Sequence, residues 1–242
     1  MARTLAGRRA TEAHRLAQTR LGADTVSYIS DLWELIDPAD LDATVARWLR
    51  AALPYVRSQH DASARLAAAY LRTFRSIEAP DATPLRLPPP PTFNPAQAAT
   101  SLTVTGPVTV RTATGAGQTI DAASDAGLSA SARAAMRLAL NGGRRAIVNG
   151  ANADPDAQGW ARATSGNPCA FCDMLASRGP VYSEETGDFE AHDGCSCTAE
   201  PVYPGSEWPP GARAARALWD ESTRGYSGNA AINAFRRARA AT

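Results

Sequence analysis

The chain has 242 residues, of which 44% are hydrophobic and 20% charged. That composition supports a buried core and argues against global disorder. Its 25 basic residues, every one an arginine, stand against 24 acidic residues and leave a formal net charge of +1, which disfavours a general nucleic-acid coat, because such a coat needs a large positive field. Abundant alanine with no lysine reads as the translation of a GC-rich genome. No run of 18 apolar residues occurs, so no membrane-spanning helix and no membrane partner are expected. The arginines of residues 1–10 are not followed by the apolar stretch a signal peptide needs. The expected setting is a reducing cytoplasm, where four cysteines act as thiols or metal ligands rather than as a disulfide framework.

In chain order, residues 1–78 read as helical. Leu16, Leu21, Val26, Ile29, Leu32 and Leu35 recur at roughly helical spacing. Asp37-Pro38 has the form of a cap and first helical residue, predicting a restart there. Leu41, Val45, Trp48, Leu49 and Ala52 then line one helix face. Pro54 is expected to interrupt, with a third helix carrying Leu66, Tyr70, Leu71 and Phe74. The unit reads as a packing or oligomerisation bundle. Residues 79–95, with Pro80, Pro84 and Pro88 to Pro91, read as a semi-rigid proline-rich linker. Asn94-Pro95 starts the next helix by the same capping logic. Leu102 to Thr105 and Val108 to Val110 are β-branched and alternating, so local propensity favours strands. Residues 128–148 predict a helix that Asn141-Gly142-Gly143 breaks or kinks. Helices are expected again over 211–221 and 229–240.

The informative stretch is 159–204. Cys169 and Cys172 form a C-x2-C; 22 residues (173 to 194) separate them from the C-x-C of Cys195 and Cys197, and His192 lies three before Cys195. A C-x2-C turn presents two sulfurs to one side of a tight loop, as two corners of a tetrahedral zinc site require. Pro168 and Gly166 suit the first loop and Gly194 the second. Five candidate ligands compete for four places: Cys169, Cys172, His192, Cys195 and Cys197. Both the all-cysteine set and the three-cysteine, one-histidine set stay open. So do disulfides between the two halves and free buried thiols. Trp160, Trp208 and Trp219 read as core around a knuckle too small to have its own. The arginines Arg236, Arg237 and Arg239 read as a solvated helix end.

No catalytic and no cofactor-binding residue is assigned. Pro168-Cys169-Ala170-Phe171-Cys172 matches half of the zinc deaminase signature, but the upstream histidines, His14 and His60, are not followed by x-Glu. A thioredoxin-like site lacks its βαβ surroundings. A protease would draw on a cysteine, His192 and Asp193, with nothing to mark an oxyanion site.

Gly159 to Arg162, Asn167 to Cys172, Ala176 to Tyr182 and Ala191 to Tyr203 together resemble the MuF-like minor head proteins of tailed bacteriophages, in their actinobacterial phage and prophage form. Met136 to Arg144 and Trp208 to Arg213 also fit. The likeness covers about residues 95–240. It departs at His192-Asp193, where the family usually has histidine-proline. The resemblance implies a mainly α-helical protein: an N-terminal helical region (1–78), the linker (79–95) and a head-morphogenesis domain (96–242) whose Cys/His segment bears short strands. It favours helix over much of 96–126, against local propensity. It implies a few copies inside the virion head near the portal vertex, assembled in the host cytoplasm. The implied partners are portal, coat and scaffold proteins, and phage DNA during packaging or ejection. Relatives are often labelled capsid maturation proteases, which keeps that enzyme as the first alternative and a DNA-end-binding protein as the second. A structural zinc ion is the expected cofactor.

Overall fold

The computed structural model describes residues 2–164, 168–180, 182 and 189–241. The architecture is mainly α-helical with one small sheet. Helix α1 spans Leu5–Leu32, α2 Leu41–Glu78, α3 Pro95–Thr103, α4 Thr109–Gly115 and α5 Ile120–Ala153. Strand β1 (Gly159–Ala163), helix α6 (Ala170–Ala176) and strand β2 (Thr198–Val202) follow, then α7 (Pro210–Ser222) and α8 (Gly228–Ala240). No helix among the described residues is long and apolar enough to cross a membrane.

Helix α5 is the spine, packing most extensively on α2 and then on α1 and α4. One core gathers Ile29, Trp33, Trp48, Val56, Leu102, Val110 and Leu138. The other gathers Tyr70, Phe74, Ile147, Trp160 and Tyr203, together with Cys172, Cys195 and Cys197. The proline-rich stretch lies against this body. Leu87 packs on the second core and Phe93 on the first, where the Phe93 ring meets His60 edge-on at 5.4 Å.

Several expectations are corrected here. Pro54 lies inside α2 and does not end it. It is exposed, as is Arg50 one turn earlier, so the carbonyl left without an N–H faces water. The restart after α1 comes three residues later than Asp37-Pro38 suggests: Asp40 caps α2, its Oδ1 accepting from the Ala43 N–H at 3.2 Å, while Asp37 caps only the preceding turn. The N-terminal region therefore holds two long helices, not three. The β-branched stretch from Leu102 to Val110 is helical, as the family likeness favoured. Thr105 and Thr109 donate to the carbonyls of Ser101 and Val104. A wide π turn at Val104–Val108 absorbs Pro107, which has no N–H to give.

Asn141-Gly142-Gly143 does not break α5. The two glycines instead let α2 approach closely. A Cβ at position 142 would sit 2.1 Å from the His60 carbonyl oxygen, and one at 143 would sit 2.6 Å from Ser63 Oγ. At that crossing the Gly143 N–H donates to Ser63 Oγ (2.9 Å), Ser63 donates to Gln18 Oε1 (2.7 Å), and Gln18 donates back to the Ser63 carbonyl (3.1 Å). One buried polar knot thus joins α1, α2 and α5.

His14 on α1 is buried and stacks on Tyr70 at 4.5 Å. Its Nε2 has no partner, and burial pushes its pKa down to about 4. The unfolded chain takes up a proton near pH 6.5 while the folded one resists until about 4. Stability is therefore full above 6.5 and falls as the pH drops through that window, by up to about 3 kcal/mol. His14→Phe keeps the stack and removes this titration. Urea unfolding of both proteins at pH 7 and pH 4.5 should show the variant losing less stability on acidification; equal losses would contradict the assignment.

Candidate metal centre

β1 and β2 pair antiparallel, Gly159 opposite Val202 through Ala163 opposite Thr198. This ribbon frames the two loops that carry the cysteines. Cys169 caps α6: its sulfur accepts from the Cys172 N–H at 3.5 Å. Cys172 follows in the first turn of α6, turned inward and 1% exposed. His192 and Cys195 lie on the loop that enters β2, and Cys197 directly precedes that strand.

The second loop is nailed to α5. Gly194 has φ +79°, a conformation glycine adopts without strain, and its N–H donates to the Arg133 carbonyl at 3.2 Å. The Cys195 N–H closes the turn onto the His192 carbonyl at 3.1 Å. Asp193 accepts from Arg137 Nε at 2.5 Å. Gly194 thus makes the turn expected of it; Gly166, assigned to the first turn, lies outside the described residues.

All five expected ligands converge. Cys169, Cys172 and His192 form one group and Cys172, Cys195 and Cys197 another, the ligand atoms within each lying within 4.8 Å of one another. Cys172 belongs to both. Its sulfur is 3.5 Å from Cys195 Sγ and 3.7 Å from His192 Nε2, and His192 Nε2 is 3.0 Å from Cys169 Sγ. Zinc–sulfur and zinc–nitrogen bonds of about 2.0–2.3 Å place tetrahedral ligand atoms about 3.5–3.8 Å apart. The two separations involving Cys172 fall in or at the edge of that range, and the Cys169–His192 contact is shorter.

The histidine is oriented for ligation. Its Nδ1 lies 2.9 Å from the Asp193 carbonyl oxygen. A carbonyl can only accept, so Nδ1 carries the proton and Nε2 offers its lone pair to the sulfurs. Asp193 orients the ring through its backbone, because its carboxylate is engaged by Arg137. All four cysteines are free, and the 3.5 Å between Cys172 and Cys195 is far from the roughly 2.05 Å of a disulfide. The hydrogen bond from Cys172 pulls the Cys195 thiol below its usual range, and the hydrogen bond with Cys195 pushes Cys172 above it. The thiols and one imidazole suit a divalent metal, and neither group contains a carboxylate.

Of the three tryptophans expected in the core, Trp160 is fully buried, while Trp208 and Trp219 are only half-buried. Trp160 stacks between Tyr182 (4.4 Å) and Phe189 (5.5 Å). Trp208 lies against Gly179, where an added Cβ would meet its ring. Trp219 packs on Phe235 at 5.4 Å. Two residues that the motif does not include also reach the cluster, Arg144 and Arg162, both 2% exposed. Arg144 donates from Nε to the Cys197 carbonyl at 3.0 Å and from a terminal nitrogen to the Cys195 carbonyl. The signal for Arg144 was its place among Leu140, Ile147, Val148 and Ala151, on the apolar face of α5.

The chain matches the family described as VG15 protein over residues 6–222. It belongs to that family. It is also similar to the Gene 15 protein of Mycobacterium phage D29, with 32% identity over 120 residues, covering 35% of this chain and 44% of that protein. The chain thus matches less than half the length of that relative. No solved structure matches it. This member of the VG15 family is therefore a phage protein, and its cysteine–histidine cluster falls within the family match.

Proposed function

We propose that this VG15-family chain is a minor head protein of a tailed phage, of the MuF-like kind. It joins the portal vertex inside the head during prohead assembly and acts through contacts with portal, coat and scaffold proteins. Family membership and the phage relative support a structural or morphogenetic role. The observation that carries the reading is the cluster: five ligand-type side chains converge from two loops, and the second loop is held to the central helix by Arg137 on Asp193 and Arg144 on the Cys197 carbonyl. That arrangement serves to hold a surface segment rigid for assembly. Zinc is the metal we assign, held by four of Cys169, Cys172, His192, Cys195 and Cys197. Bound there, it supplies a cross-link, and its binding free energy becomes folding free energy.

One observation favours a second reading, the capsid maturation protease. Cys169 and His192 are exposed, and their Sγ–Nε2 separation of 3.0 Å is within reach for a nucleophile and its base. The test is gradient sedimentation of heads assembled by co-expressing the chain with its own coat, scaffold and portal. The head-protein reading predicts that the chain travels with heads only when portal is present and that coat stays full length. Coat shortened only when this chain is present, with shortening abolished by Cys169→Ala, would establish the protease instead.

A further inference from the structure

Arg144 and Arg162 are buried cations without a carboxylate partner among the described residues. Arg144 bonds the carbonyls of Cys195 and Cys197 and the side-chain oxygen of Asn141 (3.0 Å). Arg162 bonds the Glu190 carbonyl, points a terminal nitrogen at Cys172 Sγ from 4.0 Å, and leaves its buried Nε unpartnered. Both guanidinium groups lie over the Phe189 ring, their carbons 5.4 Å and 3.9 Å from its centroid. Two like charges are thus sequestered side by side, with neutral carbonyls and an aromatic face as their other contacts. Buried charges need counter-charge, and lone cations in such a place are costly.

Among the described residues, the cysteine cluster is the group beside them that becomes anionic on binding a metal. Paired disulfides or protonated thiols would be neutral and leave both arginines uncompensated. A divalent ion with three thiolates and a neutral imidazole carries one net negative charge, and with four thiolates two. The three-thiolate set offsets half the charge of the arginine pair, and the four-thiolate set balances it fully.

We propose that Arg144 and Arg162 are the built-in counter-charge of a thiolate-rich, net-negative metal centre, and that they set how tightly it holds its metal. The proposal rests on the zinc reading above. Arg144 has a second role as a positioning residue, clamping the Cys195–Cys197 loop through its carbonyls. Arg162 faces Cys172 with its charge and also holds the Glu190 carbonyl, so the contrast between its Lys and Gln variants, rather than either alone, separates charge from clamping.

The experiment titrates the whole metal-free chain with Co2+ and then challenges the Zn2+-loaded chain with a competing chelator. The variants are Arg162→Gln, Arg162→Lys and, as an independent second site, Arg144→Gln. The thiolate-to-cobalt absorption band reports thiolate ligation directly, and circular dichroism reports the helical body. We expect wild type to bind one ion with a strong band. Arg162→Gln and Arg144→Gln should weaken metal retention by about 10–100-fold, the range for outer-shell partners of metal ligands. Arg162→Lys should recover most of the loss, because it restores the charge. Equal retention in wild type and Arg162→Gln overturns the proposal and leaves the zinc reading standing. Equal loss in the Lys and Gln variants also overturns it, since shape rather than charge then matters. A wild-type chain that binds neither ion overturns the zinc reading and this proposal together.

Discussion

Cys172→Ser should abolish metal binding and unfold the segment from β1 to β2 while leaving α2 and α5 paired. Cys172 is the one residue common to both groups, so without it neither group keeps three ligand atoms. Serine is a poor ligand for a soft-leaning site, and its hydroxyl would be buried at a position 1% exposed. Loss of a structural metal is among the few single changes that cost more than about 4 kcal/mol. Thermal unfolding with and without chelator should show a large difference for wild type and none for the variant. Limited proteolysis should cut the variant within 159–204. Cys169→Ser should have a milder effect, because Cys169 is exposed, belongs to one group only, and a serine can keep the cap on α6. Unchanged protease resistance in Cys172→Ser would sink the structural role of the cluster.

Gly142→Ala should destabilise the bundle by about 3 kcal/mol, the upper part of the usual range for overpacking. The new methyl would lie 2.1 Å from the His60 carbonyl oxygen and 2.9 Å from its carbon. Those atoms belong to the backbone of α2, so no side-chain rotation relieves the overlap. Helix propensity acts the other way, favouring alanine by about 1 kcal/mol, and is outweighed. Gly211 provides the control: nothing lies within 4 Å of a Cβ there, so Gly211→Ala should be neutral or slightly stabilising. Urea unfolding of the two variants checks the contrast. A Gly142→Ala protein as stable as wild type would mean that α2 and α5 do not cross closely at this point.

The comparison of sequence with structure turns on what a residue's own chemistry reveals. The convergence of the five side chains was legible because sulfur and imidazole at C-x2-C and H-x2-C-x-C spacings commonly meet in one place. Gly194 was legible as a turn because it follows His192-Asp193 and precedes a cysteine that must reverse direction. Positions that depend on a partner helix were not legible. Gly142-Gly143 looks like a breaker alone and becomes a close crossing only once α2 supplies His60 and Ser63. Pro54 looks like a stop and is tolerated because its turn of α2 faces water. The β-branched run after Leu102 is helical because Val110 and Gly106 must pack on α5 and Trp33. Arg162 looks like a surface charge until the cysteines are folded against it, whereas Arg144 was marked by its place on the apolar face of α5.

The metal content of the full chain, purified without chelator and read by native mass spectrometry, tests the central claim most directly. The account predicts one zinc ion per chain. Its removal should expose the four thiols to alkylation and open the 159–204 segment to protease. A chain that carries no metal, keeps its thiols protected and melts at the same temperature with and without chelator would contradict the account.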